Sequence, residues 1–273
     1  MNTSYLLLLT GMLTITFLFP QNKLNFSANS AESIQENGET IKVFKDNVKI
    51  IDQNRILYTD LAKQYDALDQ VKLYGNVKMY DFTDSLSCNE LILFQSDNQY
   101  YYATGDVELI QGDRKISADK LFYYTENKKI ILKDNVIIQD SLRVIRADSL
   151  FIKYNNNKLD RMNVQSNVII LNNQYVKLKD NLGDKFFQDK MQSNNITILF
   201  DDNEEIESLL MSGMASADFS VIQDSLLKGL NNITGDTITM NFIDNFIDKM
   251  TIKGGAIGLF LPDKSNQDVN NNI

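Results

Sequence analysis

"TGDVELIQGDRKISADKLFYY", Thr104 to Tyr124, holds the two words on which the fold turns. The first, "TGDVELI", is a turn-forming pair, then a valine, then an apolar run. The second, "ISADKLFYY", sets Asp119 between Ala118 and Leu121. In a regular strand, residues two apart share a face. Ala118 and Leu121 are three apart, so both can face one interior only if the strand bulges or bends at Asp119-Lys120. Asp119 then marks a fold line, solvated or bonded to neighbouring backbone N–H groups. A glycosidase-type role needs two carboxylates at a set separation, which a single acid per unit does not supply.

Both words recur. "KDNVKII", "YGNVKMY", "TGDVELI", "KDNVIIQ" and "QSNVIIL" align on Val48, Val77, Val107, Val136 and Val168, with gaps of 29, 30, 29 and 32 residues. Leu61, Leu91, Leu121, Leu150 and Leu182 follow these valines 13, 14, 14, 14 and 14 residues later. Two divergent units close the chain, with Ile196 and Ile238 as leucine equivalents and Ala215 and Ala256 as valine equivalents. Turn formers stand at fixed offsets: Asp52, Asp81, Gly112, Asp140 and Asn172 after the valines, and Asn98, Asn127, Asn156, Asn203 and Asn245 after the leucines. Between them run β-branched and aromatic segments such as Tyr100 to Ile110 and Lys129 to Ile138. Each unit reads as two long strands and two tight turns. Leu209 to Met214 and Ser225 to Leu230 have room for a helical turn at most. The reading is an all-β, repetitive antiparallel fold over residues 40–262, with an insertion near 183–193 and a polar tail at 263–273.

Composition narrows the chemistry. The chain of 273 residues is 43% hydrophobic, enough for a real core, and its net charge of −9 with no basic run excludes a nucleic-acid partner. It contains no histidine, which removes Ser-His-Asp and Cys-His nucleophiles and the usual zinc ligand sets. Cys88 is the one cysteine and reads as a small buried filler. No catalytic residue, metal site or cofactor is expected. Leu6 to Phe19, "LLLLTGMLTITFLF", has the length of a signal-peptide apolar core and is short for a bilayer span. Residues 1–31 are therefore read as an export signal, ending near Pro20 or at Ala28, Ser30 and Ala31, although Met1 to Tyr5 carries no positive charge. A retained membrane anchor is the competing reading.

Gly75-Asn76-Val77, Gly105-Asp106-Val107, Ile116 to Tyr124, Ala147-Asp148-Ser149-Leu150 and Asn231 to Phe242 resemble the OstA-like family of lipopolysaccharide transport, over roughly residues 40 to 260. That family includes the periplasmic bridge protein of the export system and the N-terminal domain of the outer-membrane translocon. The resemblance implies a β-jellyroll: a V-shaped folded sheet with an apolar interior that holds lipopolysaccharide or a related glycolipid by its acyl chains. It implies edge-to-edge stacking with other jellyroll-containing transport proteins, a periplasmic location and no turnover of substrate. Alternation around the anchors gives Val77, Met79, Val107, Leu109, Leu121, Tyr123, Val136, Ile138 and Leu150 as candidates for the lipid groove. Two features depart from the pattern: the acidic balance suits phosphorylated headgroups poorly, and the last units drift from the repeat. The alternative is an exported β-solenoid that binds polysaccharide, or a structural surface protein.

Overall fold

The computed structural model describes residues 24–52, 55–81, 84–94, 100–124, 129–156, 158–177, 184–223, 226–243 and 246–262. Expectations for the leader before residue 24, the tail after 262, and Asn98, Asn127, Leu182 and Asn245 lie outside these residues. Every regular element among the described residues is a strand. They are β1 (Asn25–Ser27), β2 (Ser30–Glu36), β3 (Glu39–Asp52), β4 (Arg55–Tyr65), β5 (Gln70–Asp81), β6 (Asp84–Phe94), β7 (Tyr100–Gln111) and β8 (Arg114–Tyr124). There follow β9 (Lys129–Gln139), β10 (Arg143–Asn155), β11 (Lys158–Lys177), β12 (Asp184–Phe200), β13 (Ile206–Gln223), β14 (Leu226–Ile243), β15 (Phe246–Lys253) and β16 (Ile257–Pro262). Leu209 to Met214 is strand, as is Leu226 to Leu230, because ladder pairing and burial override a weak local helical preference.

Two compact units contain these strands: residues 24–141 with 149–156, and residues 142–148 with 158–262, so that β10 lends residues to each. In the first unit β3 to β9 pair in chain order, all antiparallel, while β1 and β2 both pair with β3. The edge strands begin at Asn25, inside the stretch read as leader. In the second unit β11 to β14 pair in order, with β15 on one half of β14 and β16 on the other. A parallel bridge, Lys177↔Leu226, joins β11 to β14. The stretch read as an insertion is strand from Asp184 onward. It pairs with β11 from Lys177↔Asp184 to Val168↔Ser193, and Asn172 is a ladder residue opposite Asp189 rather than a turn.

The fold line has a definite backbone. Immediately before each valine or its equivalent stand two consecutive residues with positive φ: Asp46-Asn47, Gly75-Asn76, Gly105-Asp106, Asp134-Asn135, Ser166-Asn167, Gly213-Met214 and Gly254-Gly255. This corrects the expected bulge at Asp119-Lys120. The extra residue lies on the neighbouring strand, where Gly105 and Asp106 together oppose Asp119. On the other side of Asp119, Asp134, Asn135 and Val136 oppose Ala118 and Asp119. The same shifts separate Tyr74 from Val77 against β6 and Lys45 from Val48 against β4. Left-handed backbone strains residues with a Cβ, least for Asn and Asp, so the pair settles where Gly, Asn and Asp are available. Ala118 and Leu121 are both buried, with exposed Asp119 between them, as the spacing requires.

Asp119 is bonded, through a side-chain amide rather than the backbone: Asn135 Nδ2 donates to its carboxylate at 2.9 Å. The clasp repeats as Asn76 to Asp60 at 2.8 Å and Asn167 to Asp148 at 2.9 Å, and with roles exchanged as Asn89 to Asp106 at 3.2 Å. Glycine has a second reason at Gly75, Gly105, Gly213 and Gly254, where an added Cβ would collide with an Asp or Asn side chain. A Cβ on Gly105 would lie 2.9 Å from Asn89 Cβ, and one on Gly75 would lie 2.6 Å from Asp60 Oδ2.

Two substitutions test this backbone. Gly105→Ala adds both a left-handed strain (φ 77°) and a contact with Asn89, and should cost about 1–3 kcal/mol in urea unfolding. Met214, left-handed and 77% exposed, gains nothing from its side chain there. Met214→Asn should raise stability by about 0.5–1 kcal/mol in the same assay.

Candidate functional site

The enclosed face of the first unit is built from cross-strand rows, since directly paired residues share a face. On one side of the corner, Ile50, Leu57, Met79, Leu86, Leu109, Ile116 and Ile138 pair in succession across β3 to β9. All seven are buried. Six inter-strand steps make this row about 29 Å long. Nearer the corner, Val77 pairs with Cys88 and Val107 with Ala118. Thr59 takes the equivalent place opposite Val48, and its buried hydroxyl is satisfied by the Tyr74 carbonyl at 2.8 Å.

Beyond the corner run two more rows. Ala62, Leu73, Leu91, Ala103, Leu121 and Leu132 pair in succession, as do Val71, Leu93, Tyr101, Tyr123 and Ile130. All nine sequence candidates are buried: Val77, Met79, Val107, Leu109, Leu121, Tyr123, Val136, Ile138 and Leu150. Met79, Leu109 and Ile138 share the long row; Leu121 and Tyr123 belong to the two rows across the corner.

The face of that second wall turned away from the interior is aromatic but half-exposed. Phe94 stacks on Tyr100 with ring centroids 3.8 Å apart, and Tyr102 on Phe122 at 4.6 Å. Lys129 lies over the Tyr124 ring.

Sequence reading missed the outermost inward row. Asp52, Arg55, Asp84, Gln111 and Arg114 stand two residues outward of Ile50, Leu57, Leu86, Leu109 and Ile116, and so share their face. Gln111 donates to Asp84 at 2.9 Å. Arg55 is 4% exposed, and its guanidinium lies 3.7 Å from the Asp52 carboxylate. Arg55 also hydrogen-bonds the Tyr101 hydroxyl and lies close to Tyr123. Tyr101 and Tyr123 belong to the opposite wall, so these contacts cross the mouth between the walls. Burial pushes the Tyr123 phenol up to about 12 and raises Tyr101 further, with the Arg55 charge opposing in both. The available signal was a charged or amide residue two positions outward of Ile50, Leu57, Leu86, Leu109 and Ile116, beside turn formers such as Asp52 and Gly112.

At β16 the surface is apolar on both faces. Ile257, Leu259, Phe260 and Leu261 of β16 are 50–64% exposed. The N-terminal edge strand β2 instead carries exposed Glu32, paired with Lys45, and Glu36, bonded to Lys63 and Tyr65. Among the described residues no group of three His, Cys, Asp or Glu is placed to hold a metal ion.

Cys88 is inert by position. Burial pushes its thiol up to about 12. It should resist a thiol reagent at pH 8 in the native state and react at once in urea, a contrast read by absorbance. The sign for stability follows: above pH 9 the unfolded chain releases a proton that the native state keeps. Native stability should therefore fall as pH rises from about 9 toward 12.

Comparison with known proteins gives a family likeness over part of the chain. Residues 81–162 match the family described as OstA-like protein. No curated protein matches the sequence. The chain is also similar to a crystal structure of LptH, the LptA homologous periplasmic component of the lipopolysaccharide transport device of Pseudomonas aeruginosa. That likeness has 12% identity, covers 52% of this chain and 85% of LptH, and gives a TM-score of 0.23, a superposition from which nothing about this chain follows. The matched stretch spans both words of the repeat, including Leu109, Leu121 and Ile138. The likeness to the OstA-like family thus covers residues 81–162 of this chain, from the end of β5 to the start of β11.

Proposed function

We propose that the chain is a non-catalytic periplasmic carrier that moves lipopolysaccharide, or a related glycolipid, toward the outer membrane with its acyl chains held between the two walls. The observation that carries this reading is the long inward row from Ile50 to Ile138, apolar across seven strands and flanked by parallel apolar rows. An apolar row of that length suits a chain of methylenes, which binds by buried area and needs no directional partners. The OstA-like match over β6 to β10 supports the same assignment. Residues 40–262 act as the carrier domain. The export signal ends near Pro20, since cleavage at Ala31 would remove β1 from its pairing with Lys49 to Ile51.

Partners follow from the edges. β16 pairs with β14 along Gly229 to Thr234 and exposes apolar side chains on both faces, which favours addition of a strand from another sheet of this kind. The acidic β2 edge is guarded by charge, so assembly has a direction.

Photo-crosslinkers at Val107 and Leu121, compared with one at outward-facing Phe122, test the carrier role in cells. Lipopolysaccharide adducts are expected from the two inward positions and not from Phe122. Absence of adducts from several inward positions would overturn it.

A further inference from the structure

The inward row at the mouth contains two cations that the apolar rows do not need, Arg55 and Arg114, of which Arg55 is the more buried. Arg55 faces the interior from the end of β4, 4% exposed, with Asp52 at 3.7 Å and the Tyr101 hydroxyl of the opposite wall as hydrogen-bond partner. A buried ion pair is a poor source of stability compared with apolar residues of the same volume. The Asp52 carboxylate is beyond ideal hydrogen-bond distance, and the Tyr101 phenol is a neutral acceptor. A phosphate or carboxylate oxygen pair would satisfy the same fork bidentately and with opposite charge.

We infer that Arg55 is the anion-recognising group of the trough: it closes the mouth onto Tyr101 and Tyr123 when the interior is empty, and turns to an anionic headgroup when acyl chains part the walls. The ligand class is an alkyl or acyl chain bearing phosphate or carboxylate at its end. This rests on the carrier reading above. It also resolves a tension in the charge balance. A chain of net charge −9 repels anions at long range, so selection of an anionic lipid falls to a cation placed where the apolar rows end.

The test is equilibrium binding of dodecyl phosphate and of dodecanol, each below its micellar concentration, to the purified chain by titration calorimetry. Wild type should prefer dodecyl phosphate by about tenfold, the scale of one charge-assisted contact. Arg55→Gln should abolish the preference while keeping dodecanol binding. Lys129→Gln, an outward-facing cation over Tyr124, should change neither. Tyr101→Phe with Tyr123→Phe should tighten both ligands and keep the preference, because the closing contacts are gone and Arg55 remains. If Arg55→Gln does not fold cooperatively, Asp52→Asn with Arg55→Gln removes both charges and should show the same loss of preference. A tenfold preference that survives loss of Arg55, or its absence in a wild type that binds dodecanol, overturns the assignment. Failure of wild type to bind either ligand instead overturns the acyl-binding reading on which it rests.

Discussion

Two adjacent residues with left-handed backbone, recurring before every valine anchor, are the constraint on which the rest depends. A single bulge re-aims one side chain, but the same pair placed in register on alternate strands bends the sheet along a line. Either side of that line the alternation changes phase, so Val107 and Ala118 bury on one wall and Ala103 and Leu121 on the other. Deleting one residue of the pair would turn one wall's apolar set outward, because a shift of one residue flips every side chain. The Asp–Asn clasps then hold the corner from outside: Asp119 accepts from Asn135, and Asp60 from Asn76, across strands that the bulges have splayed. An acid that looks catalytic in isolation is therefore a structural acceptor, set by its place in the repeat.

Much of this was legible in the sequence, and the reasons differ by feature. The period of about thirty residues showed because the left-handed pair restricts residue type so strongly that Gly, Asn and Asp recur with a valine behind them. The requirement that Ala118 and Leu121 share a face revealed a bend, since burial demands it whatever the backbone does. Which strand carries the extra residue was harder to see: an Asp can sit in either conformation, and Asp119 and Asp106 look alike in a string of letters. Asp106 is left-handed, and Asp119 is its flank. The extended β11–β12 hairpin was masked because polar residues interrupt its arms, with Asn172 and Asn173 facing Asp189 and Gln188, so neither arm shows the unbroken apolar alternation that marks a strand. The inward ionic row went unseen for a related reason. Asp52, Gln111 and Arg114 adjoin turn residues, where polar side chains are the default, and only the fold reveals that they share a face with Ile50, Leu109 and Ile116.

The enclosed face joins two kinds of surface that rarely serve one purpose in a mere core. Its long row is apolar without break from Ile50 to Ile138, yet the next row outward is charged and amide-bearing and meets phenols across the mouth through Arg55. An amphiphile has the same division, with methylenes first and a polar end. The exposed apolar β16 is a surface of the kind that pairs with another sheet.

The most direct measurement is native mass spectrometry of the chain exported to the periplasm and purified without detergent. The account predicts a protein carrying lipid of acylated mass, released on denaturation and lost in Leu121→Asp, which places a charge in the second apolar wall. A wild-type protein that is folded, lipid-free and unchanged by added glycolipid would contradict it.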